Sequence, residues 1–190
     1  CFFFKLHIPL INFKLRHICV FSILKLMKSK KNLVLLGMMG SGKSTIGRIL
    51  AKKLNLEFFD IDQIIENKTK MQIPKIFEEQ GEISFRKIEE KITLKFLNKI
   101  NCIISLGGGA YVNPIIRKKT YKKSITIWLD WNPKTLINRI RKNNRRPIAS
   151  NINDNERIVD LFENQVKAEI NIFYAESCSN MSGWCLDMKI

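Results

Sequence analysis

A glycine-rich stretch in the first quarter of the chain has the residue types that bind phosphate. Residues 37–45 read GMMGSGKST, which matches the spacing G-x-x-x-x-G-K-[ST]. Glycines let the backbone wrap closely around phosphate oxygens, while a lysine supplies positive charge and a hydroxyl can ligate a metal ion. A chance glycine-rich turn is the alternative, but the pattern favours a nucleotide-phosphate site formed by Gly40, Ser41, Gly42, Lys43, Ser44 and Thr45.

Two aspartates follow a short apolar run at Glu57–Phe59 that predicts a strand. In an extended segment, residues two positions apart share one side, so Asp60 and Asp62 are predicted to point the same way. One carboxylate could support a magnesium-bound water while the other meets a substrate hydroxyl. The alternative interpretation is that these aspartates cap the helix that begins near Gln63.

Three further motifs carry residues that suit an anionic ligand. Arg86 lies in a run that reads IFEEQGEISFRKIE, and it is either a carboxylate ligand or an exposed helical arginine paired with Glu89 or Glu90. A triple glycine at 107–109, followed by Ala110, is either a close approach of backbone to ligand or a simple turn. The Arg-Arg-Pro-Ile stretch at 145–148 is either part of a closing lid or a basic surface loop.

These five motifs, in this order and at these separations, resemble the shikimate kinase family between about residues 32 and 148. The resemblance implies transfer of the γ-phosphoryl group of ATP to the 3-hydroxyl of shikimate, a step of aromatic amino-acid synthesis, with Mg²⁺ as cofactor. It also implies a role for each motif residue. Asp62, Lys43 and Arg146 would be catalytic, Arg146 would reach ATP from a lid, Asp62, Arg86 and Gly108 would bind substrate, and Ser44 and Asp60 would serve the metal.

The chain departs from this family after the lid motif. Gln165 stands where the family has a second carboxylate-binding arginine, and Glu169 falls near a usual tyrosine. The tail from about residue 165 lacks the pattern of a closing strand and helix. Two alternatives therefore stay open, namely a non-catalytic nucleotide-binding relic and a kinase for another small polyol acid such as gluconate.

The motifs require a scaffold that brings strand ends together. Apolar runs predict strands at 32–36, 57–59, 101–106 and 124–129, and helical spacing predicts helices at 45–55, 64–70, 74–80, 82–99, 133–141 and 154–164, with a loop at 142–153. Alternating strands and helices predict an α/β fold. We expect the parallel sheet flanked by helices of P-loop NTPases, in a three-layer sandwich similar to nucleoside-monophosphate kinases.

The bulk composition sets the remaining expectations. The chain has 190 residues and a formal net charge of +16, with its lysines spread along the sequence, so we expect a basic surface and no nucleic-acid partner. Five cysteines without C-x-x-C spacing favour a reducing cytoplasm. Residues 1–26 are apolar but predict neither a membrane span nor a signal peptide, and we interpret them as a non-native or disordered extension of a kinase domain at 27–190. We expect a monomer without a membrane partner.

Overall fold

The computed structural model describes residues 3–7, 31–131, 135–136 and 186–188. The strands are β1 (Phe3–His7), β2 (Asn32–Leu36), β3 (Glu57–Asp60), β4 (Cys102–Ser105), β5 (Ser124–Asp130) and β6 (Leu186–Met188). The helices are α1 (Lys43–Leu54), α2 (Ile61–Thr69), α3 (Ile73–Leu97) and α4 (Pro114–Lys123), with a short 3-10 turn at Ala110–Val112.

The six described strands form one sheet in the order β3-β4-β2-β5-β1-β6, and each neighbouring pair is parallel. Strand β2 lies between β4 and β5, with Leu33 opposite both Ile103 and Ile125. Parallel strands joined by helices place all their carboxyl ends at one edge of the sheet, where ligands of such folds bind. The predicted α/β class and parallel sheet are confirmed.

Alternating residues of β2 divide the core into two layers. Leu33 and Leu35 pack in one apolar cluster, which receives the partly buried side chains of α1. Val34 and Leu36 pack in a second cluster with apolar residues of α2, α3 and α4. Helices therefore cover both faces of the central strands, as a strand buried on both faces requires. The described helices include none with the length and apolarity that a membrane crossing needs.

A buried asparagine ties the start of β2 to the chain that leads into β4. The Asn32 side chain donates to the carbonyl of Lys99 at 2.6 Å and accepts from the Cys102 amide at 3.3 Å. Burial raises the pKa of the free Cys102 thiol to about 11, so this sulfur stays protonated near neutral pH. The buried Asn32 amide therefore has hydrogen-bond partners for both its N–H and its oxygen, as buried polar groups generally do.

The structure corrects the sequence-based expectations in three places. The expected extended Asp-Ile-Asp segment is wrong, because β3 ends at Asp60 and α2 begins at Ile61. The two helices predicted at 74–80 and 82–99 are both present, but they form one element, α3, that is interrupted at Gly81 with φ 77° and ψ 167°. Helix α4 was not predicted, although Asn113 followed by Pro114 is a helix-start signal, and the Asn113 side chain accepts hydrogen bonds from two amides of its first turn.

The ends of the chain differ in how far the expectations are met. We expected the fold to begin near Lys31, but Phe3–His7 forms β1 on the edge of β5, and Leu186–Met188 pairs with it. The domain boundary at residue 27 stays a prediction. Residues 135 and 136 of the predicted helix 133–141 are helical. The rest of that helix, the loop 142–153 and the helix 154–164 lie outside the described residues.

Candidate active site

The phosphate-binding motif forms the connection between β2 and α1. Gly37, Gly40 and Gly42 have positive φ values of 140°, 79° and 89°. An added Cβ at Gly37 would lie 2.8 Å from the backbone oxygen of Leu129, so this position tolerates no side chain. Helix α1 then begins at Lys43 and directs its positive end at the loop, which is the arrangement that favours bound phosphate.

Lys43 is buried and folds back onto its own loop. Its Nζ donates to the carbonyl oxygens of Gly37 at 2.5 Å and Met38 at 2.9 Å. Both acceptors are neutral, so a phosphate oxygen would be a stronger partner for this ammonium than either carbonyl. Lys43 therefore lies at the loop, with little exposure to solvent, where its ammonium group could bind a phosphate oxygen.

The two aspartates occupy different positions at the carboxyl end of β3. Asp60 ends the strand and is the N-cap residue of α2, but its side chain makes no capping hydrogen bond. Asp62 lies in the first turn of α2. The capping interpretation therefore does not account for the Asp60 carboxylate, and Asp62 reaches the site from a helix rather than from an extended segment.

The triple glycine packs directly against the predicted substrate-binding side chains. An added Cβ at Gly107 would lie 2.6 Å from Glu89 Oε1 and 2.7 Å from Asp62 Oδ1. An added Cβ at Gly109 would lie 2.8 Å from Arg86 Nη2. Three segments that are distant in sequence therefore converge at one place, where the turn after β4 brings its backbone between the side chains of α2 and α3.

Arg86 is fixed by two carboxylates of its own helix. Its Nη1 donates to Glu89 Oε2 at 2.7 Å, and its Nε and Nη2 each lie 3.3 Å from Glu82 Oε1. The Arg86 side chain is 37% exposed and that of Glu89 is 3% exposed. Arg86 is thus ion-paired on the helix, as the simpler interpretation required, but it also lies against Gly109 in the convergent site.

The pKa values of the half-buried Arg86 and the buried Glu89 reflect both burial and the charged partners of each group. Burial alone would lower the pKa of Arg86, but the hydrogen bonds and charges of Glu89 and Glu82 together more than offset this, so the pKa is raised. Burial raises the pKa of Glu89, the contact with Arg86 partly offsets this, and the nearby Asp62 carboxylate adds to the rise. Asp62, Arg86 and Glu89 are therefore electrostatically coupled.

A family model described as shikimate kinase matches residues 39–181 of this chain. The chain belongs to the shikimate kinase family. The shikimate kinase of Bartonella quintana is 38% identical over 170 residues, which are 85% of this chain and 81% of that relative. The shikimate kinase of Buchnera aphidicola is 41% identical over 122 residues, or 64% of this chain and 70% of that relative.

Solved shikimate kinases have the same fold. The shikimate kinase from Acinetobacter baumannii in complex with shikimate superposes with a TM-score of 0.68 at 28% identity, covering 80% of this chain and 83% of that one. The enzyme from Bacteroides thetaiotaomicron gives a TM-score of 0.70 at 28% identity, covering 76% and 82%. This family membership does not favour the alternative of a kinase for another polyol acid.

Some predicted features of the shikimate kinase site lie outside the described residues. These are the lid residue Arg146 and the unusual Gln165. Glu89 was considered only as a pairing partner of Arg86, yet its buried carboxylate is part of the convergent site. The signal for it was the acidic residue three positions after the arginine, because that spacing places both side chains on one helix face.

Proposed function

We propose that this protein catalyses the ATP-dependent phosphorylation of shikimate at its 3-hydroxyl, giving shikimate 3-phosphate and ADP. The observation that carries the proposal is the convergence of Asp62, Arg86 and the triple-glycine turn at one end of the sheet. A planar guanidinium suits the substrate carboxylate, and a carboxylate suits the substrate hydroxyls. Membership of the shikimate kinase family supports the same reaction.

In the proposed reaction, the protein orients one hydroxyl and stabilises negative charge. Asp62 accepts a hydrogen bond from the 3-hydroxyl and takes its proton as the oxygen attacks the γ-phosphorus. The new bond joins that oxygen to phosphorus, the bond to the bridging oxygen of ADP breaks, and ADP leaves with the bonding electron pair. Lys43 and Arg146 are proposed to stabilise the charge on the transferring group, which is the main requirement of phosphoryl transfer.

Substrate orientation is proposed to depend on Arg86 and the turn after β4. Arg86 binds the carboxylate of shikimate, while the backbone at Gly108 contacts the substrate directly. Gly107 and Gly109 leave space only for backbone beside the charged side chains of α2 and α3. Since each glycine faces a different charged side chain, a methyl group at either position would displace a group that the substrate needs.

The residues near the phosphate loop fit a magnesium ion. The Ser44 hydroxyl and the Asp60 carboxylate supply oxygen, the ligand type that Mg²⁺ prefers, and Asp60 is not used in helix capping. Clusters of three or more His, Cys, Asp or Glu side chains are absent from the part of the chain that the structure describes, and Mg²⁺ beside phosphates needs none. When bound, the ion would neutralise charge on the ATP phosphates. We propose that Ser44 and Asp60 hold it.

We further propose that the protein acts as a monomer in the cytoplasm and has only small-molecule partners, ATP and shikimate. The even distribution of lysines along the chain supports this over a nucleic-acid partner, because a binding surface for nucleic acid usually gathers its basic residues.

The decisive experiment measures ADP release from Mg²⁺-ATP with and without shikimate, together with direct titration of ATP binding. We expect shikimate-dependent release from the natural sequence. We expect its loss in Asp62→Asn and Arg86→Ala, with ATP affinity retained, because neither side chain belongs to the phosphate loop. Arg48→Ala is the matched control, since Arg48 is an exposed arginine that contacts Gln63.

The outcomes of this experiment separate the alternatives. Near-normal turnover in both variants would refute the assigned roles. ATP binding without shikimate-dependent turnover in the natural sequence would indicate a nucleotide-binding relic, and activity restored by Gln165→Arg would then assign the loss to that position.

A further inference from the structure

A tryptophan outside all five motifs contacts the phosphate loop. Trp131 follows β5 directly, is buried, and packs in the apolar cluster that contains Met38 and Leu136. Its indole Nε1 donates to the backbone carbonyl of Ser41 at 3.0 Å, across a sequence separation of 90 residues. The contact therefore joins the carboxyl end of β5 to the middle of the loop between β2 and α1.

This hydrogen bond fixes the orientation of one peptide group in the loop. Every peptide bond in the described segments is trans, and in a trans peptide the carbonyl oxygen and the amide hydrogen point in opposite directions. A Ser41 carbonyl held by Trp131 therefore turns the Gly42 N–H away from Trp131. The preceding peptide is held too, because the Ser41 N–H donates to the carbonyl of Met38 at 3.2 Å.

The Gly42 amide lies where phosphate-binding loops present their donors. Gly42 is the N-cap of α1 and has a left-handed conformation, with φ 89° and ψ 16°. Successive amides in such a turn form an anion-binding concavity only when their peptide planes are correctly oriented. A glycine backbone does not enforce that orientation by itself, since glycine is conformationally permissive. An external hydrogen bond to the Ser41 carbonyl supplies the missing constraint.

We propose that Trp131 is a positioning residue for nucleotide binding, which holds the Ser41–Gly42 peptide so that the Gly42 amide faces the ATP phosphates. The inference rests on the proposed function of the loop in binding ATP. It assigns Trp131 to the nucleotide half of the site, because the indole donates its hydrogen bond to the phosphate loop.

The test compares Trp131→Phe with Trp128→Phe by titration with ATP, ADP and shikimate. Phenylalanine keeps a buried ring but removes the N–H donor. Trp128 is the matched control, because it is a buried tryptophan of β5 in the other apolar cluster. For Trp131→Phe we expect about a tenfold loss of ATP and ADP affinity and a matching rise in the KM for ATP. The KM for shikimate should stay unchanged, and Trp131→His, which keeps an N–H donor, should recover part of the affinity.

A second measurement retains the indole and does not depend on the stability of a variant at position 131. Trp128→Phe combined with Trp184→Phe leaves Trp131 as the remaining tryptophan, because the chain has three. Its indole ¹⁵N–H signal should be protected from solvent exchange and should shift when ADP binds, while shikimate alone should leave it in place.

Three results would overturn the inference. One is natural ATP affinity in Trp131→Phe. Another is an equal loss of ATP and shikimate affinity, or an equal loss in Trp128→Phe, which would assign a general packing role. The third is an indole signal that exchanges rapidly and ignores ADP. If the natural sequence itself binds no ATP, the proposed function fails first, and that result is distinct because it precedes any substitution.

Discussion

Arg86, the proposed ligand of the substrate carboxylate, is held in place by ion pairs and still has N–H donors to offer. A guanidinium has five N–H donors, and three of its contacts, from Nε, Nη1 and Nη2, go to Glu82 and Glu89. The pairing on its own helix fixes the plane of the group beside Gly109. In the proposed complex, the substrate carboxylate would meet a guanidinium that is already oriented, which would reduce the entropy lost on binding.

The buried Glu89 carboxylate gives stability a distinct dependence on pH. Burial raises the pKa of Glu89 above its ordinary value of 4.5. The folded protein therefore binds this proton more tightly than the unfolded chain. The stability from this group is fully present below the ordinary value and is lost as the pH rises through the raised value. Denaturant unfolding across this window should show the natural sequence losing stability relative to Glu89→Gln.

Comparing these two proteins isolates one titrating group, because other carboxylates titrate alike in both. Glu57→Gln is a control on an exposed carboxylate that pairs with Lys99. A stability difference that instead grows in favour of the natural sequence as the pH rises would mean that the ion pair with Arg86 outweighs the burial of Glu89.

At the scale of elements, the sequence predicted what local patterns determine. Strand β2 has the predicted limits, because a short apolar run that ends at a glycine is typical of a buried strand. Resemblance to a family predicted that Arg86 and the triple glycine serve one substrate site; the structure places Arg86 beside Gly109, and the shared role stays a prediction. No local pattern indicates that Gly107 approaches Glu89 and Asp62, because that contact depends on how α2 and α3 pack against the turn after β4.

Long-range hydrogen bonds explain why other features were not predicted. Asn32 and Trp131 both make contacts across more than 60 residues, to the chain before β4 and to the phosphate loop respectively. Nothing in the flanking sequence distinguishes such residues from an ordinary strand asparagine or core tryptophan. Their roles follow from the strand order, which periodicity does not specify.

The packing of α1 on β3 gives a prediction at the element scale. Gly47 lies in the middle of α1, where alanine would ordinarily gain about 1 kcal/mol. Here an added Cβ would overlap the ring of Phe58. Overpacking a filled core costs about 1–3 kcal/mol, so we expect Gly47→Ala to lower the free energy of unfolding.

Phe58→Leu provides the matched background for this test, because it shortens the side chain that the new methyl group meets. In urea unfolding, Gly47→Ala should cost less in Phe58→Leu than in the natural sequence, which a double-mutant cycle measures as a favourable coupling. Equal costs in both backgrounds would show that α1 moves away from β3 instead of pressing on the ring.

In the whole molecule, residues that are far apart in sequence meet at one edge of the sheet. The phosphate loop follows the central strand β2, and the proposed substrate-binding side chains enter from beyond β3 and β4 on one side of it. Trp131 enters from β5 on the other side. The phosphate loop is therefore held from the β5 side, while the proposed shikimate-binding side chains lie on the β4 side, so the two proposed substrates would bind side by side along one edge.

The net charge of the whole chain predicts that capture of the two substrates depends on salt. The formal net charge is +16, whereas ATP and shikimate are both anions, so the protein's field should attract each of them. Screening shortens the reach of that field to about 10 Å at 0.1 M salt. We therefore expect kcat/KM for ATP and for shikimate to fall several-fold as KCl rises from about 0.02 M to about 0.2 M, with kcat at saturation changing little.

Lys118→Glu and Lys122→Glu, on the exposed surface of α4, should reduce this dependence of kcat/KM on salt, because they lower the net charge at positions outside the proposed site. A flat salt profile, or a fall confined to kcat, would show that local contacts and not the overall field determine capture of the two anions.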